Sequence, residues 1–193
     1  MKKEQIQSLA IAGVLCALIG AMTAIPQTGY ISYGVIAITT LHIPVIIGAI
    51  LLGPWWGTAI GAFWGVTCLI RAFVMPVELV DPLFRNPLIS VLPRLLVGLV
   101  AGFVYQGLKK ALGEKGTKIS FYITGAAGAI TNTGLVLGLL FLFSENTAKY
   151  FGGSFVNVVK VVLTVNGALE ILAAPVLIAA AATAVFALLK RKA

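Results

Sequence analysis

The chain has 193 residues, of which 60% are hydrophobic and only 10% are charged, and its formal net charge is +8. Because soluble domains average about 25% charged residues, this composition excludes a water-soluble globular domain. The positive charge does not indicate nucleic-acid binding, because most basic residues lie at the two termini and in one internal loop: Lys2, Lys3, Lys109, Lys110, Lys115, Lys118, Lys190, Arg191 and Lys192. The positive-inside rule places such segments on the cytoplasmic side of a membrane, so membrane lipid is expected around the chain and nucleic acid is not a partner.

The first apolar block long enough to cross a bilayer is the predicted helix Ser8–Ile25. Its small residues form two adjacent rows at four-residue spacing: Ala12, Cys16, Gly20 and Ala24 in one, and Gly13, Ala17 and Ala21 in the other. Small residues let membrane helices approach each other closely. The rows therefore predict packing within the chain, a contact surface for a partner helix, or both.

The second predicted helix, Gly34–Leu52, follows an outer loop at residues 27–33 that contains Tyr30 and Tyr33. The two tyrosines suit the membrane interface or a lid over a pocket. Thr39 and His42 are three residues apart on this helix and therefore share one face. His42 is the one histidine of the chain, so we expect a packed or pocket-lining residue rather than a metal ligand.

The third predicted helix, Trp55–Val74, begins after a tight turn at Gly53-Pro54. It places Trp64 at mid-depth, where an indole suits the packed core or the wall of a ligand pocket. It places Arg71 near the outer end, where a cation attracts an incoming anion or extends to the membrane interface.

The fourth predicted helix, Asn86–Lys109, contains Arg94 within an apolar run. An arginine at mid-membrane costs roughly 2.5–3.5 kcal/mol on insertion scales, so such a side chain normally faces a partner or a wet cavity. Pro93 removes a backbone donor and disfavours helix at Leu92, which predicts a loosened helix at this point. We expect the other helices to surround Arg94 and to form a small-molecule site.

Two further predicted helices complete the bundle. The fifth, Ile119–Phe143, has Asn132 near its middle, and the sixth, from within Phe155–Leu189, has Asn166 and Glu170 four residues apart on one face. Since both termini are basic, both are expected in the cytoplasm, which requires an even number of spans. The sequence thus predicts an all-α, multi-pass membrane protein, with one six-helix domain over residues 1–193.

The buried arginine has two interpretations. In one, Arg94 pairs with Glu170 and the pair is structural. In the other, Arg94 binds an anionic ligand such as a carboxylate, which a guanidinium can hold through two hydrogen bonds. Asn132 and Asn166 would then supply donors and acceptors to a polar ligand, or else they hydrogen-bond to other helices.

Motifs for catalysis or ATP hydrolysis do not occur in the sequence. It has no GxxxxGK[ST] phosphate-binding loop and no HExxH or GxSxG motif. A chain of membrane carboxylates, as in proton-driven pumps, is missing too. We therefore expect neither an enzyme nor a metal site, and a ligand site without its own energy source predicts a binding subunit that other proteins drive.

Two stretches resemble a known family: LHIPVIIGAILLGPWWGTAIGAFWG and NPLISVLPRLLVGLVAG. With six predicted helices and a small-residue first helix, the whole chain resembles a substrate-binding S component of an energy-coupling factor (ECF) vitamin transporter. The similarity is greatest to the branch with pantothenate and hydroxymethylpyrimidine S components. This resemblance implies a protein of a prokaryotic plasma membrane that captures a vitamin from outside the cell.

The resemblance also implies partners. An S component docks on a transmembrane coupling subunit through small residues of its first helices, which here are Ala12, Gly13, Cys16, Ala17, Gly20 and Ala21. Two cytoplasmic ATPases hydrolyse ATP and drive a change in which the S component topples in the bilayer and releases its cargo inside. The S component itself would hold no cofactor.

Pantothenate is the substrate that the branch and the polar residues favour together. Its carboxylate would bind Arg94, and its hydroxyls and amide would bind Asn132, Asn166 and Glu170. Trp64 and the loop tyrosines would cover its gem-dimethyl portion. The alternative cargoes are hydroxymethylpyrimidine, which is neutral, and folate, which is large and aromatic. Outside this class, the alternative is a stand-alone small-molecule transporter or a scaffold with a structural Arg94–Glu170 pair.

Overall fold

The computed structural model describes residues 3–25, 27–33, 36–77, 81–143, 156, 160 and 168–190. The regular elements of these residues are, in chain order, α1 Lys3–Ala24, β1 Tyr30–Tyr33, β2 Ile36–Thr39, α2 His42–Leu52, α3 Pro54–Val74, α4 Pro87–Ser90, α5 Leu92–Leu112, α6 Thr117–Leu142 and α7 Ala168–Lys190. Short 3₁₀ segments precede α4 at Asp81–Arg85 and α6 at Glu114–Gly116.

Four of the described helical segments are long and apolar enough to cross a membrane: Lys3–Ala24, Pro54–Val74, Pro87–Leu112 and Glu114–Leu142. Their outward faces expose large apolar side chains, as in Trp55 (73% exposed) and Leu142 (74% exposed). Such surfaces suit lipid rather than water as the surrounding solvent. The prediction of a largely helical membrane protein is confirmed.

The second predicted helix is wrong in its first half. Instead of a helix from Gly34, the chain forms an antiparallel hairpin in which Tyr30 pairs with Thr39, and α2 contains only 11 residues. At the helical rise of 1.5 Å per residue, α2 is about 16 Å long, which is half of a ~30 Å hydrocarbon core. The β-branched residues Ile36, Ile38 and Thr39 favour a strand, and a short apolar run does not by itself distinguish strand from helix.

Two predicted breaks in the backbone are confirmed. Gly53 has a φ of 95°, a conformation that glycine adopts readily, and Pro54 begins α3 directly after it. Helix α4 ends at Ser90, and α5 begins at Leu92 with Pro93 in its first turn. A proline is tolerated in a first turn because its missing N–H would have no partner in the same helix.

Helices α3 and α5 pack backbone against backbone through glycines. A Cβ atom on Gly57 would lie 2.7 Å from the carbonyl oxygen of Gly98, and one on Gly61 would overlap the carbonyl of Arg94. Glycine therefore permits a helix separation that any other residue would prevent. Since the contacts advance along α3 as they recede along α5, the two helices are antiparallel.

The sixth predicted helix is present from Ala168 onwards as α7. Pro175 lies inside α7 and contacts α6, where a Cβ on Gly125 would lie 2.9 Å from the Pro175 Cα. The predicted third outer loop, Ser144–Ser154, lies outside the described residues, as does Asn166.

Candidate functional site

Arg94 is buried inside the bundle and only 4% exposed. Its Nη1 donates a 2.6 Å hydrogen bond to the carbonyl oxygen of Ile89. In a regular helix the N–H of residue 93 would bond to that carbonyl, but Pro93 has no N–H, so the oxygen is available to the arginine. The Nε of Arg94 has no hydrogen-bond partner among the described residues, so its N–H can donate to a ligand.

Two aromatic rings lie beside the Arg94 guanidinium. Its Cζ is 5.1 Å from the ring centre of Trp64 and 5.2 Å from that of Phe84. Ring faces attract cations, so both contacts offset part of the cost of burying this charge. Trp64 is fully buried, and its indole Nε1 donates a 3.3 Å hydrogen bond to the hydroxyl of Tyr30. The tryptophan thus connects the hairpin to the buried charge.

Arg71 joins the hairpin to the segment that precedes α4. Its Nη1 lies 3.0 Å from Oδ1 of Asp81, and its Cζ lies 4.3 Å from the ring centre of Tyr30. Asp81 is buried and also accepts a 2.6 Å hydrogen bond from the backbone N–H of Val77. The positive charge that we predicted to attract an anion is therefore balanced by Asp81.

Helices α2, α5 and α6 meet near the centre of the bundle. A Cβ on Gly128 of α6 would lie 2.8 Å from Cγ1 of Ile46 on α2 and 3.8 Å from Cγ1 of Val97 on α5. Helix α2 is also antiparallel to α3, because a Cβ on Gly57 would meet Ala49 and one on Gly48 would meet Ile60, so α2 and α5 run in the same direction. Helix α6 runs the opposite way, because the short connection after α5 turns the chain back. The hairpin precedes α2 in the chain. The end of the bundle near the hairpin is therefore reached toward lower residue numbers on α2 and α5, and toward higher residue numbers on α6.

One helical turn in that direction, about 5.4 Å, leads to a buried polar residue on each helix: His42, Arg94 and Asn132. Their exposed fractions are 1%, 4% and 5%. Neither ring nitrogen of His42 has a hydrogen-bond partner among the described residues, and the amide oxygen of Asn132 has none either. An unpaired buried polar group costs about 1–3 kcal/mol, which a bound ligand can recover. The packing thus brings three of the predicted site residues to one level.

The structure describes only some of the other predicted site residues. Thr39 is buried at the base of the hairpin, where its Oγ1 lies 3.4 Å from the carbonyl oxygen of Gly29. The side chains of Tyr33 in β1 and of Glu170 in α7 lie outside the described part of the structure, so an Arg94–Glu170 pair stays a prediction. Among the residues that are described, no cluster of three or more His, Cys, Asp or Glu could hold a metal ion.

Sequence reasoning missed Phe84 and Asp81, which contact the arginines of α5 and α3 from the segment before α4. Residues in an irregular segment have no helical or strand period that would reveal which way they face. One signal was present in the sequence: Pro93 lacks the N–H that would bond to Ile89, which indicates an available carbonyl next to Arg94.

The small residues of α1 divide between packed and uncovered positions. Ala12 is buried and Cys16 is half-buried against the core. At the other predicted positions the side chain is exposed or an added Cβ would meet nothing within 4 Å: Gly13, Ala17, Gly20 and Ala21. Helix α1 therefore contributes to internal packing on one side and leaves a small-residue surface on the other.

Comparison with known proteins adds a family match over nearly the whole chain. The family described as ECF transporter, substrate-specific component, matches residues 7–189. The chain is 31% identical over 158 residues to the pantothenate transporter PanT of Leuconostoc mesenteroides subsp. mesenteroides, which covers 79% of this chain and 77% of the relative. It is 28% identical over 191 residues to the pantothenic acid transporter PanT of Lactococcus lactis subsp. cremoris, which covers 92% of each chain.

Proposed function

The chain belongs to the family of ECF transporter substrate-specific components, and from this premise we propose that it captures pantothenate for an ATP-driven importer in a prokaryotic plasma membrane. The family resemblance of the sequence is confirmed, and the chain is a transporter component and not an enzyme. Both relatives are named as transporters of pantothenate, which supports this substrate.

The observation that carries the proposal is the set of buried polar atoms that have no hydrogen-bond partner in the described part of the chain. Arg94 Nε is a cationic donor, Asn132 Oδ1 is an acceptor, and His42 has two ring nitrogens to offer. A ligand that satisfies them needs an anionic group for Arg94 and a hydroxyl or amide N–H for Asn132. Pantothenate combines these groups, since it has one carboxylate, one amide and two hydroxyls.

The alternative cargoes fit these atoms less well. Hydroxymethylpyrimidine is neutral and would leave Arg94 with Glu170 as its possible counter-ion, so it would make no use of the arginine as an anion site. Folate is acidic, but its large aromatic portion would compete with Trp64 and Phe84 for the space beside the guanidinium. The unpaired atoms therefore favour a small aliphatic carboxylate with hydrogen-bond donors.

Other residues have supporting roles in this proposal. Trp64 and Tyr30 cover the gem-dimethyl group, because they lie next to Arg94 on the hairpin side. Arg71 holds Tyr30 and Asp81 together at the outer end of the site. The rest of the polar lining comes from Tyr33, Thr39, His42, Asn166 and Glu170.

The energy for uptake comes, in this proposal, from a transmembrane coupling subunit and two cytoplasmic ATPases. The uncovered small-residue surface of α1 supports a close helix–helix contact with the coupling subunit, because small side chains at Gly13, Ala17 and Ala21 let a second backbone approach. Both termini face the cytoplasm and the chain crosses the membrane six times, with α2 and the hairpin together in place of the second full-length helix.

Isothermal titration of the purified chain with pantothenate, hydroxymethylpyrimidine and folate tests the substrate. We expect pantothenate to bind and Arg94→Ala to weaken its binding about 100-fold, because removal of one partner of a buried, hydrogen-bonded charge pair costs about 2–5 kcal/mol. Lys118→Ala removes an exposed positive charge at the other end of the bundle and should bind like the wild type. Wild-type affinity in Arg94→Ala, or a preference for hydroxymethylpyrimidine, would contradict the proposal.

A further inference from the structure

We propose that Phe84 and Pro93 are positioning residues that orient the Arg94 guanidinium toward the carboxylate of the ligand. The inference rests on the proposed function, because the effect of both residues is measured through the binding of a carboxylate ligand. Neither residue is assigned a contact with the ligand. Phe84 acts through its ring, and Pro93 acts through the backbone carbonyl that it leaves available.

The ring of Phe84 restricts the guanidinium together with Trp64. Both ring centres are close to Cζ, at 5.2 Å and 5.1 Å, and Phe84 comes from a different part of the chain than Trp64. A guanidinium grips a carboxylate through two parallel hydrogen bonds only when its plane is correctly oriented. An arginine already fixed between neighbours loses less conformational entropy when the ligand binds.

The segment that carries Phe84 is itself anchored. Nε of Arg85 donates a 3.0 Å hydrogen bond to the carbonyl of Ala72 on α3, and the Ser90 hydroxyl donates to the carbonyl of Phe84. The ion pair of Asp81 fixes the beginning of the same segment to α3. The ring is therefore held in place from both sides along the chain, as a positioning residue requires.

Pro93 determines which donor bonds to Ile89. Any other residue at position 93 would bring an N–H that competes with Arg94 for the Ile89 carbonyl. With proline in place, Nη1 of Arg94 makes this 2.6 Å bond while Nε stays without a partner among the described residues. The protein thus fixes Nη1 of the guanidinium and leaves the N–H of Nε for a ligand.

Paired titrations with pantothenate and pantothenol, in which a hydroxymethyl group replaces the carboxylate, separate positioning from general packing. We expect Phe84→Leu to weaken pantothenate binding about 10-fold and to change pantothenol binding by less than about two-fold, because pantothenol offers Arg94 no charge. Phe84→Trp keeps a ring face and should restore the affinity for pantothenate. Pro93→Ala should act like Phe84→Leu. Phe103→Leu, an exposed aromatic on the same helix as Arg94, is the control and should change neither affinity.

Equal weakening of both ligands by Phe84→Leu, or no weakening of either, would overturn the inference while leaving the proposed function intact. If the wild-type chain binds no pantothenate, the proposed function fails, and a ligand-free double-mutant cycle of Phe84→Leu and Arg94→Met decides the inference. Non-additive losses of Tm support the contact between ring and guanidinium, and additive losses overturn it. Should Phe84→Leu not fold, Phe84→Met keeps the apolar volume without a ring, and the same outcomes apply.

Discussion

At the scale of single residues, the hydrogen bonds of α6 distinguish residues that pack from residues available to a ligand. Ser120 and Thr131 donate to carbonyls four residues earlier in their own helix, at 2.9 Å and 2.7 Å. Hydroxyls bonded in this way are inexpensive to bury. The amide oxygen of Asn132 is buried without a partner among the described residues, so a polar side chain at this position needs a different reason.

Asn132→Leu is expected to stabilise the empty chain and to weaken ligand binding. Removal of an unpaired buried polar atom should raise the Tm by about 2–4 °C, and loss of the acceptor should weaken pantothenate binding about 10-fold. Thermal unfolding and titration of the same preparation measure both effects. Thr131→Val, one position earlier, should leave the affinity unchanged. A lowered Tm with unchanged affinity would identify Asn132 as a packing residue.

At the scale of secondary-structure elements, the contact of α3 with α5 sets the position of the arginine. Gly61→Ala is expected to lower the free energy of unfolding by about 1–3 kcal/mol, because the added methyl group overlaps the Arg94 carbonyl and forces the helices apart. Gly134→Ala on α6 is the matched control, since its added Cβ would meet nothing within 4 Å. Denaturant or thermal unfolding compares the two variants, and equal stability would show that the helices separate without cost.

The same elements show how far the sequence predicted the structure. The long helices and the break before Arg94 followed from segment length and from proline, which are local properties. The buried arginine itself was predicted from its transfer cost. The hairpin was not predicted, because the short and mostly apolar run of β2 is compatible with either a strand or a helix. The contact of Phe84 with Arg94 was not predictable either, because it depends on how an irregular segment folds back over α5.

At the scale of the whole molecule, the exposed small-residue face of α1 lies on a helix whose other side packs against the bundle. A subunit that must engage a larger complex without losing its own fold needs such a division. The face at Gly13, Ala17 and Ala21 can be covered by another helix without disturbing the residues around Arg94. Assembly and ligand capture are therefore expected to respond to different substitutions.

Ala17→Trp is expected to prevent assembly with the coupling subunit and the ATPases while leaving pantothenate binding by the solitary chain unchanged. The added indole occupies the space into which a partner backbone would pack. Co-purification followed by size-exclusion chromatography measures assembly. Leu177→Trp, on an exposed position of α7, is the control and should assemble normally. An intact complex with Ala17→Trp would exclude this face as the docking surface.

The glycine contacts between α3 and α5 have a consequence for how cargo leaves. Two helix backbones in direct contact cannot slide or separate without a large loss of packing. We therefore expect the indole of Trp64 and the guanidinium of Arg94 to keep their positions relative to each other. In the proposed function, these two side chains would then keep one wall of the ligand site unchanged. We therefore expect release of the proposed ligand to involve movement of the β1–β2 hairpin rather than a separation of α3 from α5.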